Sequence, residues 1–462
     1  MRAQAIPITD KFKSWFAWVK GDTNTPTSYG KICRNIRLQD GWIQNIPWFQ
    51  TVYEWESEEL CYGWYGDSFT GRLFRNYDGR REEINPESWT ITDRWWLVDL
   101  PKTKCRFVSY DKYIIILTGT TKPYIFNTAT NTLVAWTTEI DDSVYPFLWA
   151  QYMGFTFLAY KNKLYISEPI VVWSEDKAIS RNTWTSWTQQ ISYKTNITAL
   201  VATLERLWII TDEFIEYIDQ NTITTVWDVA TIYSIRYAES QVIVNQESLV
   251  PVWSKLFFWA KGNKIRSIGY IQWVAQLQVA DLSDIPLIGI DDYIQENLDE
   301  DQSDMVWYFD KVYNEVRWYV KRKNKAHNDL MIAYSLSSKW FTDWLWKPFG
   351  SIATLWENVY AFDAYRNNKV YKDNTGTTFD WKMIIWVYES HPIKLWLPNI
   401  DKFWRGWERA GKVNNQTKIV LEAFVDWKSV MVPKVIFEWK LSVSDDWIAG
   451  STIWWQPLAW DV

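Results

Sequence analysis

From about residue 40 onward the chain alternates short apolar runs rich in Ile, Val, Thr, Tyr and Phe with breaks of Asn, Asp, Lys and Gly. That pattern predicts strands joined by tight turns. One strand type recurs, a polar or charged pair followed by an apolar run: GRLFRN (71–76), DKYIIIL (111–117), NKLYIS (162–167), ERLWII (205–210), SKLFFWA (254–260), NEVRWYV (314–320) and ENVYAF (357–362). Aligned on Leu73, Tyr113, Leu164, Leu207, Leu256, Val316 and Val359, successive copies lie 40, 51, 43, 49, 60 and 43 residues apart. A period of about 40–50 residues is that of a propeller blade, one four-stranded sheet per repeat. The expected fold is all-β, a β-propeller of about seven blades over residues 41–390. The alternative is a set of unrelated β-meanders whose spacing coincides.

Two repeats continue across a polar turn into a second strand. LERLWIITDEFIEYID (204–219) breaks at Thr211-Asp212-Glu213, and LFFWAKGNKIRSIG (256–269) breaks at Lys261-Gly262-Asn263, so each reads as a hairpin. Radial repetition of hairpins leaves only short, protected sheet edges. Residues 1–40 read as an irregular arm, and a strand near 42–53 is placed to close the ring. The acidic stretch DLSDIPLIGIDDYIQENLDEDQSD (281–304) falls inside the 60-residue gap and reads as a helical or looped insertion. Beyond 390 the repeat stops. IVLEAFVDWKSVMV (419–432) and KVIFEWKLSV (434–443) alternate like an antiparallel pair, which makes 391–462 a small C-terminal β domain.

Composition changes this picture in one respect. The 462 residues include 36 Trp but only 17 Gly. Gly is about 3.7% of the chain where about 7% is usual, and Trp about 7.8%. Many Trp stand where a turn asks for glycine. Asp426-Trp427 lies between two apolar runs, the place where Asp-Gly forms a type I′ turn, and Pro47-Trp48 resembles the Pro-Gly of a type II turn. Asp-Trp also occurs at 343–344, 380–381 and 446–447, and Trp-Trp at 95–96 and 454–455, the latter pairs in loop-like contexts. One explanation is that many of these Trp are glycines in the natural protein, encoded by UGA read as Gly. The other is a Trp-rich surface that stacks sugars on indole rings.

The remaining chemistry is sparse. Net charge is −6 with two His and three Cys, so the chain has no overall cationic field for nucleic acid. Cys33, Cys61 and Cys105 form no CxxC pair, which argues against a disulfide framework and fits a reducing compartment. No apolar run approaches the length of a membrane helix, and the N-terminus has no secretory pattern. GxSxG, P-loop and HExxH motifs are missing. His327 and His391 have no spaced metal partner. The run Asn297–Gln302 imitates the start of a calcium loop, but it lacks Gly at the sixth position and has Tyr308 at the twelfth, so a solvated acidic face is expected. Asp291 and Asp292 are a carboxylate pair of the kind glycosidases use, without the separation that would identify one. No catalytic, cofactor or metal site is expected.

The ordered segments CRNIRLQDGWIQNIPWF (33–49), YMGFTFLAYKNKLYISEPI (152–170), ITALVATLERLWIITDEFIEYID (197–219) and LFFWAKGNKIRSIG (256–269) resemble β-propeller structural proteins of tailed bacteriophages. The closest kind is the packaged-DNA stabilisation protein, or tail accessory factor, of short-tailed phages. The resemblance spans roughly residues 30–390, and its motifs are hairpin patterns. It implies a non-enzymatic virion component, assembled in the host cytoplasm, that plugs or extends the portal channel and retains packaged DNA. Its expected partners are the portal and other head-to-tail connector or tail proteins, within a homo-oligomeric ring, with no membrane and no sequence-specific nucleic acid. Trp42, Trp48 and Trp208 depart from the family pattern as turn-site aromatics, where the first two would more comfortably be small. A carbohydrate-binding propeller and a propeller hydrolase are the other function classes.

Overall fold

The computed structural model describes residues 30–34, 37–39, 42–44, 49–54, 61–93, 100–110, 113–130, 132–135, 144–166, 189–226, 229–232, 236–239, 246–260, 262–271, 276–282, 290–337, 341–345, 347–363, 369–375 and 387–390, with 418–421, 424–425, 428–429 and 434–438. Contacts divide the chain into two compact units, 1–392 and 393–462.

The first unit is a seven-bladed β-propeller. Six blades begin a four-stranded antiparallel meander at Cys61, Arg106, Leu148, Ile197, Val250 and Val306, numbered here blades 1 to 6. Blade 7 takes three strands from 349–373 and its fourth, Phe49–Glu54, from the start of the chain. That borrowed strand closes the ring. Lys369 pairs with Glu54 in register, and Phe49 is fully buried edge-on to Phe349 and Tyr371, with centroids 5.0 and 4.8 Å away. The closing strand expected near 42–53 is therefore present, shifted slightly along the chain.

Seven apolar clusters fill the seven contacts between neighbouring blades. Because each sheet is covered on both faces, second strands read as continuous apolar runs: all six residues of Arg206–Thr211 in blade 4 are buried. Each large aliphatic chain so covered contributes about 1.5–3 kcal/mol. The contact between blades 6 and 7 is partly ionic. Arg317, fully buried, donates to Asp310 (2.7 Å), Glu315 (3.0 Å) and Asp373 (3.2 Å), and Lys347 donates to Asp373. Burial opposes ionisation of Asp373, but Lys347 and Arg317 overcome it and hold its carboxyl below the usual range.

The irregular spacing of the repeat has structural causes. Leu164 lies in the third strand of blade 3, Lys163–Ile166, whereas the aligned residues of the other blades lie in second strands; the second strand here is Phe155–Tyr160. NKLYIS shares its polar-then-apolar opening with the second strands because third strands are buried in the same way. Blade 4 carries an extra hairpin, Ile223–Val226 with Val229–Ile232, between its third and fourth strands. The 60-residue gap between Leu256 and Val316 contains the helix Asp291–Asn297. Ile290, Ile294 and Leu298 form its apolar stripe against blades 5 and 6.

The arm assigned to 1–40 contributes to the disc. Gly30–Arg34 joins the outer edge of blade 6, parallel to Phe341–Leu345, and Val387–Ser390 pairs antiparallel beyond it. Blade 6 is thereby a six-stranded sheet. In the second unit, Lys418–Leu421 pairs antiparallel with Lys434–Glu438, and Phe424–Val425 with Lys428–Ser429.

Candidate functional site

Two features of the disc stand out chemically: the segment that crosses its axis, and the face made by the first turn of each blade.

The axial segment is a single 3₁₀ turn, Gln246–Ser248, that precedes the inner strand of blade 5. It makes contacts with three other blades, two through side chains and one through a backbone carbonyl. Gln246 Oε1 accepts from the Leu200 N–H (2.6 Å) and its Nε2 donates to the Leu200 carbonyl (3.3 Å), pairing with the inner strand of blade 4 as a further strand would. Glu247 accepts from Arg106 Nη2 (2.5 Å) and Nε (3.1 Å) on the inner strand of blade 2, with Lys104 Nζ at 3.9 Å. The Ser248 carbonyl accepts from Trp318 Nε1 (3.2 Å) in blade 6. In a seven-membered ring blades 2 and 5 are not neighbours, so the Arg106–Glu247 pair spans the axis. Burial alone would raise the Glu247 carboxyl; Arg106 and then Lys104 overcome this and hold it below its ordinary value. A carboxylate fixed in its ionised form by two cations acts as an anchor rather than as a proton donor.

The first turns of the blades all lie on one face of the disc, because every blade runs in the same sense. Six of them present an exposed apolar side chain: Phe69, Met153, Leu204, Trp253, Val312 and Trp356 in blades 1, 3, 4, 5, 6 and 7. Trp253 and Trp356 are 63% and 62% exposed. Each occupies the first central position of a two-residue turn, with Val252 opposite Lys255 and Leu355 opposite Asn358. Both have φ of +52°, a left-handed conformation that costs a residue with a Cβ about 1–2 kcal/mol. Trp89, in the loop Asn85–Thr90 of blade 1, has φ +56°. Its ring, unlike theirs, packs inward, stacked on Tyr53 (5.7 Å) and edge-on to Tyr360 (5.9 Å).

Three of the tryptophans singled out by sequence fall on described residues, and none of the three is at these turns. Asp343-Trp344 is not a turn: both residues lie inside the strand Phe341–Leu345 and are buried, because the flanking apolar residues form one continuous strand. Trp208 is likewise no turn residue. It is fully buried in a second strand and donates to Thr203 Oγ1 (3.2 Å). Trp42 belongs to the short hairpin Arg37–Gln39 with Trp42–Gln44, opposite Gln39. Trp48, Trp427, the pairs 95–96 and 454–455, and Asp-Trp at 380–381 and 446–447 lie outside the described residues. Trp253 and Trp356 escaped notice because their partners, Ser254 and Glu357, carry no turn signature as strong as Asp or Pro.

The candidate chemical groups are dispersed. His327 is half-buried in the turn before Asn328–Ser335, and His391 lies outside the described residues. Asp291 opens the helix, 3.7 Å from Lys264 Nζ; Asp292 follows it in the same helix. The acidic run continues as a loop in which Asp299 and Asp301 accept from following backbone N–H groups and pair with Lys321, while Tyr308 lies in the inner strand of blade 6. Among the described residues no group of three or more His, Cys, Asp or Glu is arranged to hold a metal ion. Burial pushes the Cys61 and Cys105 thiols above their ordinary values, which disfavours the nucleophilic thiolate. Among the described residues no helix is long and apolar enough to cross a membrane.

No protein family matches the chain, and no curated protein matches it. Several solved structures are similar to it. The Myceliophteria thermophila Cps50 (Swd1) β-propeller domain is 12% identical with a TM-score of 0.44, over 71% of this chain and 100% of its own. The Neurospora crassa Pan2 WD40 domain is 9% identical with a TM-score of 0.45, over 71% and 97%. The extracellular domain of BT4673 from B. thetaiotaomicron is 10% identical with a TM-score of 0.41, and the chain spans 40% of its length. The blade topology places the chain in the class of seven-bladed β-propellers.

Proposed function

We propose that the chain is a structural virion protein of a tailed phage, a head-to-tail connector or tail component that plugs or extends the portal and helps retain packaged DNA. The observation that carries this reading is the first-turn face, where among the described residues apolar side chains are exposed in blades 1, 3, 4, 5, 6 and 7. Repetition of exposed apolar side chains around one face of a disc suits stacking against another subunit of an assembly. Two further features support the reading. The axis is crossed by the Arg106–Glu247 pair, an obstruction that suits a plug. The strands Gly30–Arg34 and Val387–Ser390 both extend the outer edge of blade 6. The order of hairpin motifs resembles that of phage propellers, and a net charge of −6 limits nonspecific adhesion to DNA.

The test is co-expression with the portal and tail proteins encoded beside its gene, followed by gradient sedimentation and electron microscopy. The expected result is a ring-shaped complex that the triple variant Phe69→Ser, Leu204→Ser, Val312→Ser fails to join while remaining folded. A chain that stays monomeric with every neighbouring gene product, or a locus without such genes, overturns it.

One observation favours a second reading, a carbohydrate-binding propeller: Trp253 and Trp356 are exposed at equivalent turns of blades 5 and 7. A glycan array distinguishes it, since this reading requires saturable binding that is lost on Trp356→Ala.

A further inference from the structure

Trp253 and Trp356 occupy a position whose backbone is built for glycine. In each turn φ is positive at the first central residue, Trp253 or Trp356 at +52°, and the second, Ser254 or Glu357, is not among the positive-φ residues. Both primed hairpin turns put positive φ at the first central residue, where glycine is favoured. Elsewhere on this face glycine or asparagine takes part of the left-handed backbone: blade 3 has Met153 at φ +50° followed by Gly154 at +78°, blade 1 ends its longer turn on Gly71 at +67° and blade 6 on Asn314 at +54°. Asn tolerates this region and Trp does not.

The indole rings offer little in exchange for the strain. Trp253 meets Phe309 edge-on with centroids 6.0 Å apart, and Trp356 lies over Gly71, yet each ring is more than three-fifths exposed. Other tryptophans are plainly at home as tryptophan. Trp208 and Trp318 are fully buried in second strands and donate their indole N–H to Thr203 and Ser248. A glycine at either would leave a cavity the size of an indole in an interface between blades. The chain therefore holds two populations of one residue, and a chain with 36 Trp and 17 Gly has the imbalance that a systematic Gly-to-Trp exchange would leave.

We propose that the natural protein carries glycine at positions 253 and 356, encoded by UGA codons that its own translation system reads as glycine, whereas UGG encodes the tryptophans at 208 and 318. The exchange is a matter of decoding alone, because UGA and UGG differ in one base and some genetic codes assign both to tryptophan. The inference is independent of the virion reading, but it removes the aromatic pair on which the carbohydrate reading rests. Phe69, Met153, Leu204 and Val312 stay on the face either way.

The coding gene gives the first test. The expected result is TGA at codons 253 and 356 and TGG at codons 208 and 318; TGG at 253 and 356 overturns the proposal. Equilibrium unfolding gives the second, on the full chain expressed with tryptophan and as the double variant Trp253→Gly, Trp356→Gly. A higher denaturant midpoint for the double variant is expected. An unchanged or lower midpoint shows that these turns accommodate indole and overturns it.

Discussion

Trp318 and Trp356 have the same side chain and opposite relations to the fold. Trp318 is fully buried between blades 5 and 6, edge-on to Trp259 at 6.2 Å, and its N–H holds the axial turn through the Ser248 carbonyl. Trp356 sits at a hairpin tip with φ +52° and most of its ring in solvent. In the strand the backbone is relaxed and the ring supplies packing. At the turn the ring supplies little and the Cβ strains the backbone. A residue's worth is thus set by the φ it must adopt as much as by its hydrophobicity, and Trp excess in a β protein has two separable meanings.

The largest effect that sharpens this contrast is expected at the core position. Trp318→Ala should cost about 3–5 kcal/mol through lost burial and a residual cavity, read as a fall in the denaturant midpoint. It should also free the Gln246–Ser248 turn, raising hydrogen exchange at Leu249, whose N–H is bonded to the Gln246 carbonyl. Next is Trp208→Phe, which keeps an aromatic ring but removes the donor to Thr203 Oγ1; a loss of about 1–2 kcal/mol is expected. If the Trp318 and Trp208 variants were neutral, the distinction between core and turn populations would collapse.

The axial turn adds a pH-dependent term. The Glu247 carboxyl lies below its ordinary value of 4.5 in the folded chain, so the ion pair contributes fully above that value and its contribution fades as pH falls through the lowered folded value. Acid titration of unfolding free energy should therefore be shallower for Glu247→Gln than for the parent below about pH 4.5. Equal slopes would mean that Arg106 and Glu247 are not coupled across the axis.

The smallest effect has the opposite sign. Trp356→Gly should gain about 0.5–1 kcal/mol, the relief of left-handed strain less the greater unfolded-chain entropy of glycine. Trp253→Gly should gain less, because it gives up the edge contact with Phe309.

Much of the fold could be read from the chain because propeller strands are buried on both sides. The hairpins at 205–219 and 256–268 appear as apolar runs broken by polar turns, and the strands pair as those runs require. The same uniformity hides strand order within a blade: NKLYIS at 162–167 looks like a second strand and is a third. The axial segment was not legible. Gln246–Ser248 has neither period nor motif, and Arg106 and Glu247 are 141 residues apart. The turns that hold Trp at positive φ were not legible either. Asp343-Trp344 looks like a turn dipeptide, yet its apolar flanks make it a strand, while Trp253 and Trp356 follow Val252 and Leu355 and look like strand ends.

The most direct test of the two-population account is the residue mass at each position in the protein made by its own source. Peptide mass spectrometry of the chain isolated from that source should report glycine at 253 and 356 and tryptophan at 208 and 318. Tryptophan at all four positions would contradict the account.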